Sequence, residues 1–149
     1  MTPSTQGPQP SPLSIFNALT MYQQTMALKG AIELEVFTHI AAGATTASEI
    51  ARRSNAAERG IRIWCDFLTV SGFLEKNGGA YGLPPESAAF LSKRSPAYIG
   101  SVSGFLTHPR LTRHFQDVAA VVRNGGSVEA GNMAPELVRH RRRRAQPGG

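Results

Sequence analysis

The chain has 149 residues, of which 41% are hydrophobic, so it is long enough for one domain with a core and too short for two. It has no apolar run near the roughly 18 residues of a membrane span, and its N-terminus lacks the basic start and apolar segment of a signal peptide. Its single cysteine excludes an internal disulfide and a multi-cysteine zinc site, and a cytoplasmic protein is therefore expected.

The net charge of +6 belongs to the end of the chain. Five of the sixteen Lys and Arg residues lie between Arg139 and Arg144, and without them eleven cations face ten Asp and Glu residues. The arginine-rich segment 137–149 and the Pro-, Ser- and Thr-rich segment 1–11 are predicted to be disordered. One nearly neutral domain is expected over residues 12–136.

Two apolar helices are predicted at the start of this domain. Ser11 and Pro12 suit the N-cap and first position of a helix. Apolar residues then recur at helical spacing on two lines, namely Ile15, Leu19, Tyr22 and Met26, and Leu13 with Phe16. A second helical segment is expected from about Ala27 to Ala41, with Gly30 as a kink or close contact and Gly43 as the C-cap.

The stretch from Thr46 to Leu83 has the order helix, turn, longer helix and hairpin that is typical of a winged helix. Thr46 and Glu49 match a capping box at the start of the first helix. The longer helix is predicted from Glu58 to Ser71, where Gly72 ends it. Two short strands, Phe73–Glu75 and Ala80–Leu83, are expected around Asn77-Gly78-Gly79, which accepts positive φ angles.

Three further helical segments are predicted, over residues 86–91, 98–106 and 110–122. The last would place four side chains on its inner face, namely Leu111, Phe115, Val118 and Val122. Asn124 to Gly126 would cap it, and a loop would follow. The expected fold class is mainly α, with a winged helix-turn-helix core, a small β-hairpin wing and additional N- and C-terminal helices.

The sequence nominates no catalytic, cofactor-binding or metal-binding residue. The four histidines have no i, i+4 pair and no neighbouring cysteine. Cys65 lies on an apolar helical face, which predicts a buried and unreactive thiol. No glycine-rich loop follows a predicted strand in the pattern that cradles a nucleotide phosphate.

Winged helices either read DNA or pack against protein, and the helix from Glu58 to Ser71 favours protein. Its Glu58, Arg59, Arg62 and Asp66 carry no net charge, whereas a groove-reading helix needs a basic face. It also carries two apolar faces, one with Ile61, Trp64, Cys65 and Leu68 and one with Ile63, Phe67 and Val70. Nucleic acid is therefore not the expected partner, and a DNA-binding transcriptional regulator is the alternative.

Several motifs in register resemble the N-terminal dimerisation domain of S-adenosylmethionine-dependent O-methyltransferases of the acetylserotonin, caffeate and polyketide-tailoring type. They are the helix ending in Leu34-Glu35-Val36-Phe37, the capped segment Thr46 to Ala51, and Leu68-x-x-x-Gly72-Phe73-Leu74 leading into Tyr81-Gly82-Leu83. The resemblance runs from about Pro12 to Glu136. From Leu137 onward the sequence departs from the family, which leads to the expectation of a chain truncated before the catalytic domain.

The resemblance implies a homodimer that also helps to wall the substrate pocket. The family's S-adenosylmethionine and catalytic histidine belong to a following Rossmann-like domain, so no cofactor position or methyl transfer is assigned to this chain. A small-molecule hydroxyl substrate is expected only for a full-length enzyme. We expect a dimer interface formed by Leu13, Phe16, Leu19, Tyr22 and Met26. We expect a substrate pocket lined by Met21, Phe105 and His108. A further possibility is that the chain alone folds poorly, because the missing domain would cover part of its surface.

Overall fold

The computed structural model describes residues 10–126. The chain is divided after Gly104 into two compact units. The first unit contains α1 (Leu13–Glu33), α2 (Val36–Ala41), α3 (Ala47–Arg53), α4 (Glu58–Val70), β1 (Glu75–Asn77), β2 (Ala80–Gly82) and α5 (Pro85–Phe90). Helix α6 (Val102–Leu106) crosses the boundary, and the second unit continues with α7 (Pro109–Thr112), a 3-10 turn (Arg113–Phe115) and α8 (Val118–Arg123). The predicted fold class, mainly α with a small hairpin wing, is confirmed.

Helix α1 is one continuous helix, and the prediction of a separate helical segment from Ala27 to Ala41 was wrong. The helix begins at Leu13, one residue later than predicted, and Ser11 Oγ accepts a bond from the Leu13 N–H at 3.3 Å. It runs through Gly30 and ends at Glu33, with Leu34 as its C-cap, and the next residue, Glu35, takes the left-handed conformation with φ 54°. The cost of one helical glycine, about 1 kcal/mol, did not break a helix whose neighbouring turns pack on the core.

Side chains from distant segments stabilise the bend after α1. Ser54 Oγ donates to the Leu34 carbonyl at 3.1 Å, and Lys93 Nζ forms an ion pair with Glu35. The Lys93 ammonium lowers the pKa of the Glu35 carboxyl by hydrogen bonding. The bend therefore depends on tertiary partners, which explains why helical periodicity did not locate it.

The predicted capping box is present at the start of α3. Thr46 Oγ1 accepts from the Glu49 N–H at 3.2 Å, and the Glu49 carboxylate accepts from the Thr46 and Thr45 N–H groups at 3.1 and 3.0 Å. Bonds from Thr46, first from its backbone and then from its side chain, lower the pKa of Glu49. Two of the helix's unpaired donors are thus satisfied within four residues.

The hairpin forms around the predicted turn, but its first strand lies two residues later than predicted and its second strand is one residue shorter. Lys76 pairs with Tyr81 across the antiparallel ladder, and Gly78 and Gly79 both have positive φ in the turn. The Tyr81 N–H donates to the Thr45 carbonyl at 2.7 Å and so ties the wing to the start of α3. Leu74, predicted within the first strand, precedes it and is buried in the core instead.

The core of the first unit draws on α1 to α4 and the wing. Its fully buried members include Phe37, Ile50 and Leu68. Cys65 is buried beside them, as predicted, and burial raises the pKa of its thiol to about 11. Ser87 is buried as well, and its hydroxyl donates to the Phe73 carbonyl at 2.7 Å.

The last two helices predicted from the sequence, over residues 98–106 and 110–122, are shorter in the structure. The segment 98–106 is helical only over α6, and the segment 110–122 is divided into α7, the 3-10 turn and α8. Asp117 marks the interruption, because its carboxylate accepts from the Ala120 N–H at 3.0 Å and starts a new helix. The four side chains predicted to face inward are exposed, namely Leu111, Phe115, Val118 and Val122. The lead-in 1–9, the loop after Gly126 and the arginine-rich tail lie outside the described residues.

Candidate dimerisation surface

The first two thirds of α1, residues 13–26, form a segment that we call the arm. Within the described chain every arm residue is exposed except the half-buried Gln24. Seven large apolar side chains of the arm are between 49% and 67% exposed, namely Leu13, Ile15, Phe16, Leu19, Met21, Tyr22 and Met26. A contiguous apolar surface of this size on a folded chain is typical of a protein interface.

The arm also carries no charge. The first Lys, Arg, Asp or Glu of the whole sequence is Lys29, three residues after the arm ends. Interface centres are depleted in charged residues because an unpaired charge is costly to desolvate. The arm can therefore be buried against a protein partner without leaving an unpaired ion.

The five residues predicted for the dimer interface all lie on the arm at spacings of three or four. They span 13 helical steps, or about 20 Å of helix. The spacing places them on neighbouring rows of the helix, and each is about half or more exposed. Their assignment to an interface between two copies stays a prediction.

Helix α4 has one buried and one exposed apolar face. Ile61, Cys65 and Leu68 are buried in the core, while Ile63, Phe67 and Val70 are exposed on the other side. The second face that the sequence indicated is thus present at the surface. It offers apolar side chains where a DNA-reading helix would offer cations and amides.

The single cation of the wing sequence is paired with a carboxylate of α4. Lys76 Nζ lies 2.6 Å from Asp66 Oδ1, and the Tyr81 hydroxyl donates to the same oxygen at 2.7 Å. Hydrogen bonds from Lys76 and then Tyr81 hold the pKa of Asp66 below its ordinary value. Lys76 also lies 4.9 Å from the centre of the Tyr81 ring. The wing is therefore charge-balanced, which does not suit binding to a phosphate backbone.

Trp64 of α4 connects the core to α1 just beyond the arm. Its indole Nε1 donates to the Ala27 carbonyl at 3.0 Å, and its ring lies against the backbone at Gly30. The sequence indicated a kink or a close contact at Gly30, and the structure shows the close contact. The partner, 34 residues further along the chain, had no local signal.

The predicted pocket residues are placed as follows. Met21 lies on the exposed side of the arm in the first unit, and Phe105 and His108 belong to the second unit, where both are exposed. His108 has a local structural role that was not predicted, because its Nδ1 accepts from the Arg110 N–H at 3.2 Å and caps α7. Their role in a substrate pocket stays a prediction.

A family model for the O-methyltransferase dimerisation domain matches residues 16–93, which is just over half of the chain. The chain belongs to this family. The matched range begins within the arm and ends after α5, so it contains Trp64, the wing and most of the arm. The matched range lies within the first unit, whereas the sequence motifs predicted a domain that extends to Glu136.

Two curated relatives of the chain are methyltransferases. The tetracenomycin polyketide 8-O-methyltransferase TcmO of Streptomyces glaucescens is 29% identical over 146 residues, and the N,N-dimethyltransferase OxyT of Streptomyces rimosus is 30% identical over 134. These matches cover 93% and 90% of this chain. They cover 42% and 38% of the relatives, so the chain spans about two fifths of their length.

Solved structures agree with these relatives. A Nostoc punctiforme protein provisionally assigned as an O-methyltransferase is 38% identical, with a TM-score of 0.81 over 86% of this chain and 39% of that one. The O-methyltransferase NcsB1 of neocarzinostatin biosynthesis, solved with S-adenosyl-L-homocysteine, is 28% identical, with a TM-score of 0.59 over 74% of this chain and 37% of that one. Homologous enzymes thus bind the methyl donor or its product. None of these comparisons favours the alternative of a DNA-binding regulator.

Within residues 10–126, no group of three or more His, Cys, Asp or Glu side chains is arranged to hold a metal ion. None of the described helices combines the length and hydropathy needed to cross a bilayer.

Proposed function

We propose that the dimerisation domain joins two copies of this chain through their arms, as part of a methyltransferase that uses S-adenosylmethionine to methylate a small-molecule hydroxyl. The observation that carries the proposal is the arm itself, a helix with exposed apolar side chains and no charge. A stable interface buries about 800 Å² on each partner. The arm offers seven large apolar side chains toward such an area before any other element contributes.

The exposed face of α4 extends the apolar surface available to a partner copy. Ile63 precedes Trp64, whose ring contacts α1 at Gly30, so this face begins next to the base of the arm. A partner helix that packs on the arm can therefore continue onto Ile63 and Phe67. The residues that we assign to the interface remain those of the arm, namely Leu13, Phe16, Leu19, Tyr22 and Met26.

The described residues do not fit a binding site for the methyl donor. Their two strands, β1 and β2, have three residues each and form an antiparallel hairpin. A Rossmann-like site instead needs a buried parallel strand followed by a helix N-terminus. The roles that we assign to this chain are dimerisation and shaping of the site for the methyl acceptor. Met21, Phe105 and His108 each remain candidate contacts for the methyl acceptor of a full-length enzyme. A hydroxyl acceptor is proposed because the family is named for O-methyltransferases. The relative OxyT, in contrast, is named as an N,N-dimethyltransferase. The cytoplasmic location stays a prediction.

Self-association of the purified full chain tests the proposal. Sedimentation equilibrium should show a dimer at micromolar concentration. Leu19→Glu should weaken it about tenfold or more, or at least about 1.4 kcal/mol, because a carboxylate would be buried in an apolar interface.

Ser14→Glu is the matched control. It adds the same charge to the arm five residues away, about 140° around the helix from Leu19. This variant should keep the dimer. A monomeric wild-type chain at micromolar concentration would contradict the proposal, as would equal effects of the two substitutions.

A further inference from the structure

The contact between Gly30 and Trp64 holds α1 against α4 by a close fit, four residues after the arm ends. The Trp64 ring covers the Gly30 backbone so closely that a β-carbon there would overlap ring atoms Cζ2 and Cη2. The indole cannot simply swing aside, because Nε1 is bonded to the Ala27 carbonyl one turn earlier at 3.0 Å. Two contacts on successive turns fix both the position and the rotation of α1 against α4.

The Trp64 contact lies next to the predicted interface on the helix surface. Met26 is one turn before Gly30, and Tyr22 is one turn before Met26, so these residues share a row along α1. Any rotation of the helix that made room for a side chain at Gly30 would also turn Met26 and Tyr22. The fit at Gly30 and the direction of the interface residues are therefore coupled.

We propose that Gly30 and Trp64 act as positioning residues that set the direction of the arm and thereby the strength of dimerisation. This inference rests on the proposed function, because it supposes that the arm is the interface. The coupling follows from helix geometry. The far end of the arm at Leu13 lies 17 residues, or about 25 Å, from Gly30, so a tilt of about 10° at Gly30 moves that end by about 4 Å, most of one helical turn. A displacement of that size would move side chains out of the gaps into which they pack.

A pair of glycine substitutions separates this effect from a general change in helix stability. Gly30→Ala and Gly60→Ala each replace a glycine within a helix and gain the same helix propensity. A β-carbon at Gly60 meets no atom within 4 Å, whereas one at Gly30 overlaps Trp64. We expect Gly30→Ala to raise the dimer dissociation constant about tenfold or more relative to Gly60→Ala.

Two further readouts show that Gly30→Ala acts at the predicted place in a folded chain. Trp64 is the only tryptophan of the sequence, so a shift of the fluorescence emission reports on its ring alone. The shift is expected for Gly30→Ala and not for Gly60→Ala. Cys65 is buried in the core, and its continued resistance to alkylation would show that the core is intact.

Replacing Trp64 provides the rescue. Phenylalanine lacks the outer ring atoms that a β-carbon at Gly30 would meet, so Gly30→Ala should have little further effect on dimerisation in a Trp64→Phe chain. Such non-additivity is the signature of two residues in direct contact.

The outcomes distinguish this inference from the proposed function. If the wild-type chain is a dimer and Gly30→Ala binds as tightly as Gly60→Ala, the inference is wrong and the proposed function stands. A cost of Gly30→Ala that is unchanged in the Trp64→Phe chain would also overturn it. If the wild-type chain is a monomer, the proposed function fails, and the inference fails with it.

Discussion

The arm and the core of the first unit are similar in hydrophobic content and opposite in burial. Phe37 and Leu68 in the core are fully buried within the chain, whereas Phe16 and Leu19 in the arm are 61% and 67% exposed. The same residue types thus stabilise the fold by packing in the core, whereas in the arm they are exposed and contribute little to the stability of the single chain. Apolar sequence alone does not distinguish a core from an interface, and the distinction comes from which residues find partners in their own chain.

The largest contrast is expected from removing an aromatic ring in each region. Phe37→Ala should lower the free energy of unfolding by about 3–5 kcal/mol, because the core cannot close the cavity completely. Phe16→Ala should change the stability of the monomer by no more than about 0.5 kcal/mol, since the ring is exposed. Urea denaturation at a protein concentration below that of dimerisation measures both. Similar losses in the two variants would remove the distinction between the regions.

A smaller contrast is expected for two serines. Ser87→Ala should cost about 1–3 kcal/mol, because the Phe73 carbonyl would lose its buried donor at 2.7 Å. Ser14→Ala on the exposed arm should be nearly neutral. Thermal denaturation of both variants checks this prediction, and an unaffected Ser87→Ala would show that water replaces the hydroxyl.

The capping box should contribute less again. Thr46→Ala removes the acceptor of the Glu49 N–H and should destabilise the domain by about 1 kcal/mol. Thr20→Ala, in the middle of the arm, should instead favour the helix slightly because alanine has the higher propensity. Opposite signs in circular dichroism melts are the expected result, and equal signs would count against a structural role for the cap.

The smallest effect is expected at the wing and depends on pH. The pKa of Asp66 is held below its ordinary value of 3.8, chiefly by Lys76 and then by Tyr81, so the folded state favours the ionised carboxylate. The stability that this provides is present above pH 3.8 and is lost as the pH falls through the lower folded-state pKa. Because the pair is partly exposed, Asp66→Asn should cost less than about 1 kcal/mol at neutral pH.

Denaturation curves between neutral and acid pH would detect this contribution of Asp66. The difference in stability between the wild-type chain and Asp66→Asn should shrink as the solution becomes acidic. Lys76→Met should reduce the same pH dependence, because Lys76 is the main cause of the lowered pKa. A difference that stays constant with pH would exclude the carboxylate as its source.

Three features that depend on neighbours in sequence were predicted correctly. The Thr46–Glu49 box, the glycine stop at Gly72 and the turn at Gly78-Gly79 are each determined within about four residues. The interruption at Asp117 is also local, yet it was missed because apolar periodicity continues through it. A short side chain that can cap the next helix was the signal that would have located it.

Features that depend on distant partners were not predictable from periodicity. The bend after α1 is held by Ser54 and Lys93, which lie 20 and 58 residues from the groups that they bind. The candidate surface was partly predicted, since five arm residues were named from their helical spacing together with the family resemblance. Their exposure and the fit of Trp64 on Gly30 required the folded chain.

By itself the sequence determined the caps, the turns, the near-neutral charge of the folding part and the existence of two apolar faces on α4. Helix propensity, turn propensity and charge are properties of short segments, so they can be predicted from the sequence. The burial of Cys65 was expected from the sequence, whereas only the tertiary structure decided that Ile63, Phe67 and Val70 of α4 and the apolar side chains of the arm remain exposed. Burial is a property of contacts between segments, such as the bond from Trp64 to Ala27 across 37 residues, and periodicity cannot specify which of two apolar faces obtains them.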